Sequence, residues 1–463
     1  MTESTHVVHP YVPNSAPGVR TEMLQAVGVG SVEELYAAIP PHLRLARPLQ
    51  LPPPLLAEAD LARHVEDLLN RNQSTKDYLS FLGSGCYMHY VPEVCSEING
   101  RGEFLTAYAG EPYEDHGKWQ AIFEYASLMA DLLEMDIVNV PTYDGFQAAA
   151  TSLRMAGRIT GRPRVLLLGP VDAAKLAKIE AYLENALTVE LLVPLPDAGV
   201  IEPTRLDACL DDRVAAVYVE TPNAFGIIDP SLASLAQAAH AAGAIVVCST
   251  DPISLGFQSA PATWGADIVC GDIQSLGLGM HFGGASGGFI AVHDDERFVF
   301  EMPSRLFGLA PTAVGGELGF TDVAYERTSL ARREEGVEWV GTAAALWGIT
   351  AAVYLSLMGP QGLAELGESV ARRTRYAMSV LDVLPGLTVL HTTSPHWREF
   401  AIRYHDMSTH DVNQRLLGKG IFGGAALDDS GGLGDSTAVY CVTEMHTKRD
   451  IERLAIALKE ILG

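Results

Sequence analysis

The stretch DIVCGDIQSLGLGMHFGGASGG (267–288) decides the fold. It begins as a short apolar run with β-branched Ile268 and Val269, passes through a brief polar stretch, and ends in a loop where glycine recurs. GGFIAV (287–292) is a further apolar run. Upstream, RVLLLG (164–169), TVELLVP (188–194), VAAVYVE (214–220) and AIVVCST (244–250) are of the same kind, with helical segments between them. Such alternation over 140–300 predicts an α/β fold with a mostly parallel sheet and helical crossovers. Runs this rich in Val, Ile and Leu suit strands covered on both faces.

Outward from this core, the first sixty or so residues hold short helical pieces such as 32–38 and the proline-rich ARPLQLPPPLL (46–56). Prolines remove backbone donors and stop helices, so residues 1–60 read as an arm. An amphipathic helix is expected over 57–72. A longer one is expected over 119–133, where Ile122, Phe123, Ala126, Met129, Ala130 and Leu133 fall at helical spacing. LWGITAAVYLSLMG (346–359) reads as a helical bridge. Beyond it LTVLHTT, REFAIRY and STAVYCV read as strands, and 409–419 and 448–462 as helices. The expected organisation is therefore an arm (1–60), a large domain (61–350) and a smaller α+β domain (351–463). A chain of 463 residues exceeds the size at which one core usually keeps growing.

A formal charge of -25 would repel phosphate backbones and anionic lipid surfaces, which argues against nucleic acid and membrane partners. No run approaches the ~20 apolar residues of a membrane-spanning helix. The start MTESTHVVHPYVPNS lacks a basic, apolar leader, so a cytoplasmic location is expected. Cys86, Cys95, Cys209, Cys248, Cys270 and Cys441 are scattered, without CxxC or zinc-ligand spacing; free thiols and no metal are expected.

In open α/β sheets ligands sit beyond the carboxyl ends of the strands. Four segments fall there. TYDG, with Thr142, Tyr143 and Asp144, opens a helix whose free N–H groups suit an anion such as a phosphate, although a Thr or Asp there is commonly just a cap. Asn223 in ETPNAFGIIDP suits a ring or carboxylate, or simply a turn. Asp251, directly after AIVVCST, is the carboxylate a pyridinium nitrogen needs, or a turn residue before Pro252. The opening stretch itself is where a pyridoxal-phosphate enzyme of this architecture carries its Schiff-base lysine. It contains none. Ser275 stands at the assigned position, and a hydroxyl forms no imine; the nearest lysines are read as Lys178 and Lys419.

Beyond these segments, YVPN, MLQAVGVGSVEELYAAIP, LRLARPLQLP, FLGSGCYMHYVP (81–92), EFLTAY, QAIFEY, YDG, PNAFG, DPISLG, ADIVCGDIQSLG and TEMHTKRDIERL occur in this order along the chain. Through them it resembles subunit 1 of glycine dehydrogenase (decarboxylating), the alpha half of the two-chain glycine cleavage P-protein. The resemblance implies a fold of the aspartate-aminotransferase type (fold type I) and an α2β2 assembly. It implies a beta partner that carries the lysine and pyridoxal phosphate, so that no cofactor is held covalently in this chain. It implies that glycine displaces the beta lysine and is decarboxylated, and that its aminomethyl group passes to the lipoyl arm of H-protein. This chain would then have no catalytic residue by itself, with Thr142, Tyr143, Asp144, Asn223 and Asp251 as vestigial cofactor contacts.

Two segments depart from the family. TAYAGEPYEDHGKWQ places Glu111, Pro112 and Tyr113 where Gln-Pro-Glu is usual, after Tyr108. RREEGVEWVGTAAAL (332–346), with Glu335, Glu338 and Trp339, stands where members usually read RREKATSNICTNQAL. A polar stretch suited to hydrogen bonding has become acidic and apolar. Tyr108, Glu111, Tyr113, Glu338 and Trp339 are accordingly candidate cleft residues. Two alternatives stay open: a divergent paralogue acting with a partner on another small amino acid, and a non-catalytic scaffold subunit.

Overall fold

A computed structural model describes residues 11–45, 47, 49–104, 116–195, 198–284, 286–303, 305–338, 344–427 and 434–463. The chain forms two compact units, Met1–Gln73 and Ser74–Gly463. The first holds the helices Pro17–Val27, Val32–Leu35 and Glu58–Leu69. Pro17 takes a first-turn position where its missing N–H costs nothing, and Gly28 closes that helix in the left-handed region at φ 79°.

The second unit is built on a seven-stranded sheet: β1 (Ile137–Val138), β2 (Arg164–Leu168), β3 (Thr188–Leu192), β4 (Val214–Glu220), β5 (Ile245–Ser249), β6 (Ile268–Asp272) and β7 (Gly288–Val292), in the order β1-β7-β6-β5-β4-β2-β3. The pairings from β3 through β2, β4 and β5 to β6 are parallel. β7 runs antiparallel to β6, and β1 antiparallel to β7. Six of these strands lie where the apolar runs place them. β1 has no sequence signature because two residues are too few to show a period.

Alternate residues divide between two cores. Val217, Val219, Val246, Cys248 and Val269 pack on one face with α1 (His116–Leu133). Tyr218, Val247, Ile268 and Cys270 pack on the other with α2 (Gly145–Thr160) and α3 (Ala173–Leu183). Every residue of β4 is buried, which is why the strand reads as a continuous apolar run and not as an alternation. At roughly 25 cal/mol per Å² of apolar area removed from water, these two layers supply the main stabilisation of the sheet.

After the sheet, β8 (Leu306–Pro311) and β9 (Leu318–Val323) form an antiparallel hairpin. A long helix, α4 (Ala345–Leu381), then carries the chain onward; Gly359, at φ 60° and ψ 179° before Pro360, breaks it internally. It leads to a second sheet of β10 (Leu387–Val389), β11 (Glu399–Tyr404), β12 (Ala425–Ala426) and β13 (Thr437–Cys441), in the order β10-β11-β13-β12, all antiparallel. Two helices cover it, α5 (Thr409–Leu417) and α6 (Lys448–Leu462), the second begun by a Thr447/Asp450 capping box. Their core is Phe400, Ile402, Tyr404, Val412, Leu454 and Leu458. All six cysteines are free thiols. Among the described residues no helix is long and apolar enough to cross a membrane, and no side-chain group is suited to hold a metal ion.

Candidate functional site

The carboxyl ends of β2, β4, β5 and β6 open into a cleft of ≈ 930 Å³, counting its solvent-open mouth. Strand ends supply Asp172, Glu220, Asn223, Ser249, Asp251 and Asp272 to its wall. Gly145 and Phe146 come from the start of α2, and Tyr87, Trp397, Arg398 and Glu399 from segments flanking the second sheet. The location is the one parallel-sheet topology dictates.

The start of α2 is already capped. Asp144 accepts from the Gln147 N–H at 2.7 Å, and the Asp272 carboxylate accepts from the Gly145 N–H at 2.8 Å. A Cβ at position 145 would lie 2.9 Å from that of Asp272, so only glycine allows this approach. Burial pushes the Asp272 carboxyl up to about 6, with its backbone donors pulling the other way. Thr142 is fully buried, its hydroxyl donating to the Asp144 carbonyl at 2.9 Å, and its backbone exchanges two hydrogen bonds with Gly288. Tyr143 is 53% exposed and its N–H donates to the Gln147 side chain.

Asn223 is a turn residue in full. Its Oδ1 accepts from the N–H groups of Phe225 (2.9 Å) and Ile227 (3.1 Å), and its Nδ2 donates to the Gly199 carbonyl (3.0 Å). Asp251 caps a 3-10 turn through the Ile253 N–H at 2.9 Å, and its other oxygen accepts from Arg398 Nη1 at 2.7 Å. Ser275 is 2% exposed, and its hydroxyl donates to Asp251 Oδ1 at 3.3 Å. The Arg398 guanidinium lies 3.2 Å from the centre of the Tyr87 ring. Burial works against its charge, but Asp251, Tyr87 and Glu399 together outweigh it and raise its pKa. Glu399 accepts from the Ser84 N–H (2.7 Å) and the Tyr87 hydroxyl (3.0 Å); burial nevertheless raises its pKa.

Of the candidates in the two divergent segments, Glu338 is not a residue of the cleft wall. It pairs with Arg154 (2.6 Å) and Arg158 (2.9 Å), both on α2. Tyr108, Glu111, Tyr113 and Trp339 lie outside the described residues.

Several cleft residues escaped the sequence reading: Tyr87, Glu220, Asp272, Arg398 and Glu399, and also Lys175, since Lys178 and Lys419 were named as the nearest lysines. Lys175, in the first turn of α3, reaches into the cleft, 2.5 Å from Glu220 and 3.0 Å from the Ser249 hydroxyl. Burial opposes its charge, and the Glu220 carboxylate more than offsets this, so its pKa lies above the ordinary range. A lysine held as an ammonium is no nucleophile. The signal was available: Lys175 lies three residues past Asp172 at the end of β2, the same sheet edge as the other segments. Lys178 instead lies over the Phe146 ring at 3.8 Å, and Lys419 pairs with Glu460 at 2.6 Å.

A mostly parallel seven-stranded sheet with helices on both faces, joined through a long broken helix to a smaller antiparallel sheet, is the fold type I architecture of pyridoxal-phosphate-dependent enzymes. The family model of the glycine cleavage system P-protein matches residues 9–458. A protein of Aeropyrum pernix, probable glycine dehydrogenase (decarboxylating) subunit 1, is 36% identical over 98% of this chain and 99% of its own. The crystal structure of glycine decarboxylase (P-protein) of the glycine cleavage system, in inhibitor-bound form, superposes with a TM-score of 0.83 at 33% identity, over 100% of both chains. A sphingosine-1-phosphate lyase of Burkholderia pseudomallei shares the fold alone, with a TM-score of 0.65 at 14% identity over 92% of this chain and 94% of its own. The chain belongs to the glycine cleavage system P-protein family.

Pyridoxal phosphate asks this architecture for a lysine amine, a carboxylate facing the ring nitrogen, and an anion cup at a helix start. Here Ser275 stands where the sequence pattern assigns that lysine, Asp251 is committed to Arg398, and Asp144 and Asp272 accept from N–H groups in the first turn of α2. A phosphate dianion at that helix start would meet two carboxylates. These residues do not fit the cofactor.

Proposed function

We propose that this chain is the alpha subunit of a two-chain glycine decarboxylase of the glycine cleavage system. It is inactive alone and works in the cytoplasm, in an α2β2 tetramer whose beta partner carries the pyridoxal phosphate. The observation that carries the reading is Ser275 where the Schiff-base lysine would stand, hydrogen-bonded to an Asp251 already neutralised by Arg398. The family membership and the relatives named subunit 1 support the existence of a partner. On this reading the vestigial cofactor contacts have become structural: Asn223 holds a turn, Asp144 caps α2, and Thr142 ties it to β7. Lipoylated H-protein is the acceptor of the aminomethyl group, and this chain contributes scaffold and docking surface.

The experiment is purification of the chain free of companions. Alone it shows no visible absorbance of a lysine-bound cofactor and releases no carbon dioxide from glycine with a lipoylated acceptor; a beta-type chain restores release. Turnover at an enzymatic rate without that chain, or borohydride trapping of cofactor on one of its own lysines, overturns the reading.

A second reading, a divergent paralogue with a beta-type partner and another small amino acid as substrate, rests only on the departures at 332–346, since Glu338 there lies outside the cleft wall. In the stretch that departs from the family, this residue forms a clamp to Arg154 and Arg158. Steady-state comparison of glycine with larger amino acids in the reconstituted complex separates the two.

A further inference from the structure

Arg398 makes the contacts a protonated pyridine ring would make. Its guanidinium is flat and cationic, donates an N–H to Asp251 at 2.7 Å, and stacks 3.2 Å from the centre of the Tyr87 ring, with the Trp397 ring at 4.8 Å. The side chain is 5% exposed, deep in the cleft. Its backbone takes φ 64°, a region unfavourable for a residue with a side chain. An ion pair needed only for stability asks for neither stacking nor a left-handed backbone. Tyr87 is fixed by its hydroxyl on Glu399, so one face of the slot is rigid.

We propose that Arg398 is a tethered planar cation that fills the slot between Asp251 and Tyr87, closing the cleft to pyridinium-type ligands whether or not a lysine is present. The loss of the lysine and the filling of the slot are then separate barriers. The slot, once emptied, is a site for flat cations: guanidinium and pyridinium compounds. The claim concerns this chain by itself and stands or falls independently of its partner.

The test uses the purified full chain and its Arg398→Ala variant, probed with methylguanidinium, N-methylpyridinium, tetramethylammonium and pyridoxamine 5′-phosphate. Thermal unfolding and tryptophan fluorescence are the readouts, since Trp397 adjoins the slot. The wild type should show no saturable response to any probe. Arg398→Ala should unfold at a lower temperature and regain at least half of that loss with millimolar methylguanidinium or N-methylpyridinium, but not with tetramethylammonium, which has the charge without the flatness. Saturable binding of pyridoxamine 5′-phosphate to the wild type overturns the proposal, and this needs no variant to fold. So does a folded Arg398→Ala that the flat cations do not stabilise, or that tetramethylammonium stabilises equally. As a further check that leaves Arg398 in place, Ser275→Lys should yield no borohydride-stable pyridoxyl adduct on the introduced amine, and stoichiometric trapping there refutes the plug.

Discussion

Replacing Lys175 by methionine keeps the length of the side chain and removes its charge beneath the cleft. Glu220 then stays buried, its side chain 8% exposed, without the ammonium 2.5 Å away. Breaking a buried ion pair by removing one partner costs about 3–5 kcal/mol, because a charge is left uncompensated. The Tyr218 hydroxyl still donates to Glu220 at 2.7 Å, and Lys175 retains 15% exposure, so the lower end, about 3 kcal/mol, is expected. Adding Glu220→Gln removes the stranded charge and should bring the double variant to within about 1 kcal/mol of the wild type. Glu220→Gln alone strands the Lys175 ammonium and should likewise cost about 3 kcal/mol, so the cycle closes on a coupling of about 5 kcal/mol. Urea unfolding, followed by both tryptophan fluorescence and far-ultraviolet circular dichroism, measures it, with coincidence of the two probes as the check on two-state behaviour. A coupling under about 0.5 kcal/mol, or a Lys175→Met variant as stable as the wild type, refutes the idea that this pair is a structural unit.

Asn223→Ala strands the N–H groups of Phe225 and Ile227, and a loss of about 2–4 kcal/mol is expected in the same unfolding experiment. Gly226→Ala should be worse tolerated than a surface change, since a Cβ there falls 1.9 Å from the Glu399 carbonyl oxygen at φ 74°; expression yield and melting temperature should both drop. Asp272 binds its proton more tightly folded than unfolded. Its stabilising effect is therefore complete below 3.8 and is lost as pH rises through about 6. The stability of the wild type minus that of Asp272→Asn should fall across that window by up to about 3 kcal/mol, and a difference flat with pH contradicts the assignment.

The reading of β4 shows why the sheet was legible: a strand buried on both faces must be apolar at every position, so VAAVYVE announces itself without any knowledge of its neighbours. That Ser275 follows β6 was legible for a similar reason, as strand followed by glycine loop is a local pattern; that it lies against Asp251 was not. Glu338 was misplaced in the cleft because its partners, Arg154 and Arg158, lie far back in sequence on α2, and no local pattern links them. Lys175 carries no such mark, because it stands on a helix beside the carboxyl end of β2 and not after the strand that normally bears the lysine.

By itself, the amino-acid sequence determined the parallel core, the helices around it and the family, since each rests on residue type and short-range order. Tertiary structure alone decided which charges neutralise one another. Asp251 meets Arg398 across 147 residues, Glu220 meets Lys175 from the next strand but one, and Asp272 meets the start of α2 across 127 residues. Whether a carboxylate is a site or a counter-ion depends on what folds against it, and distance along the chain carries no record of that.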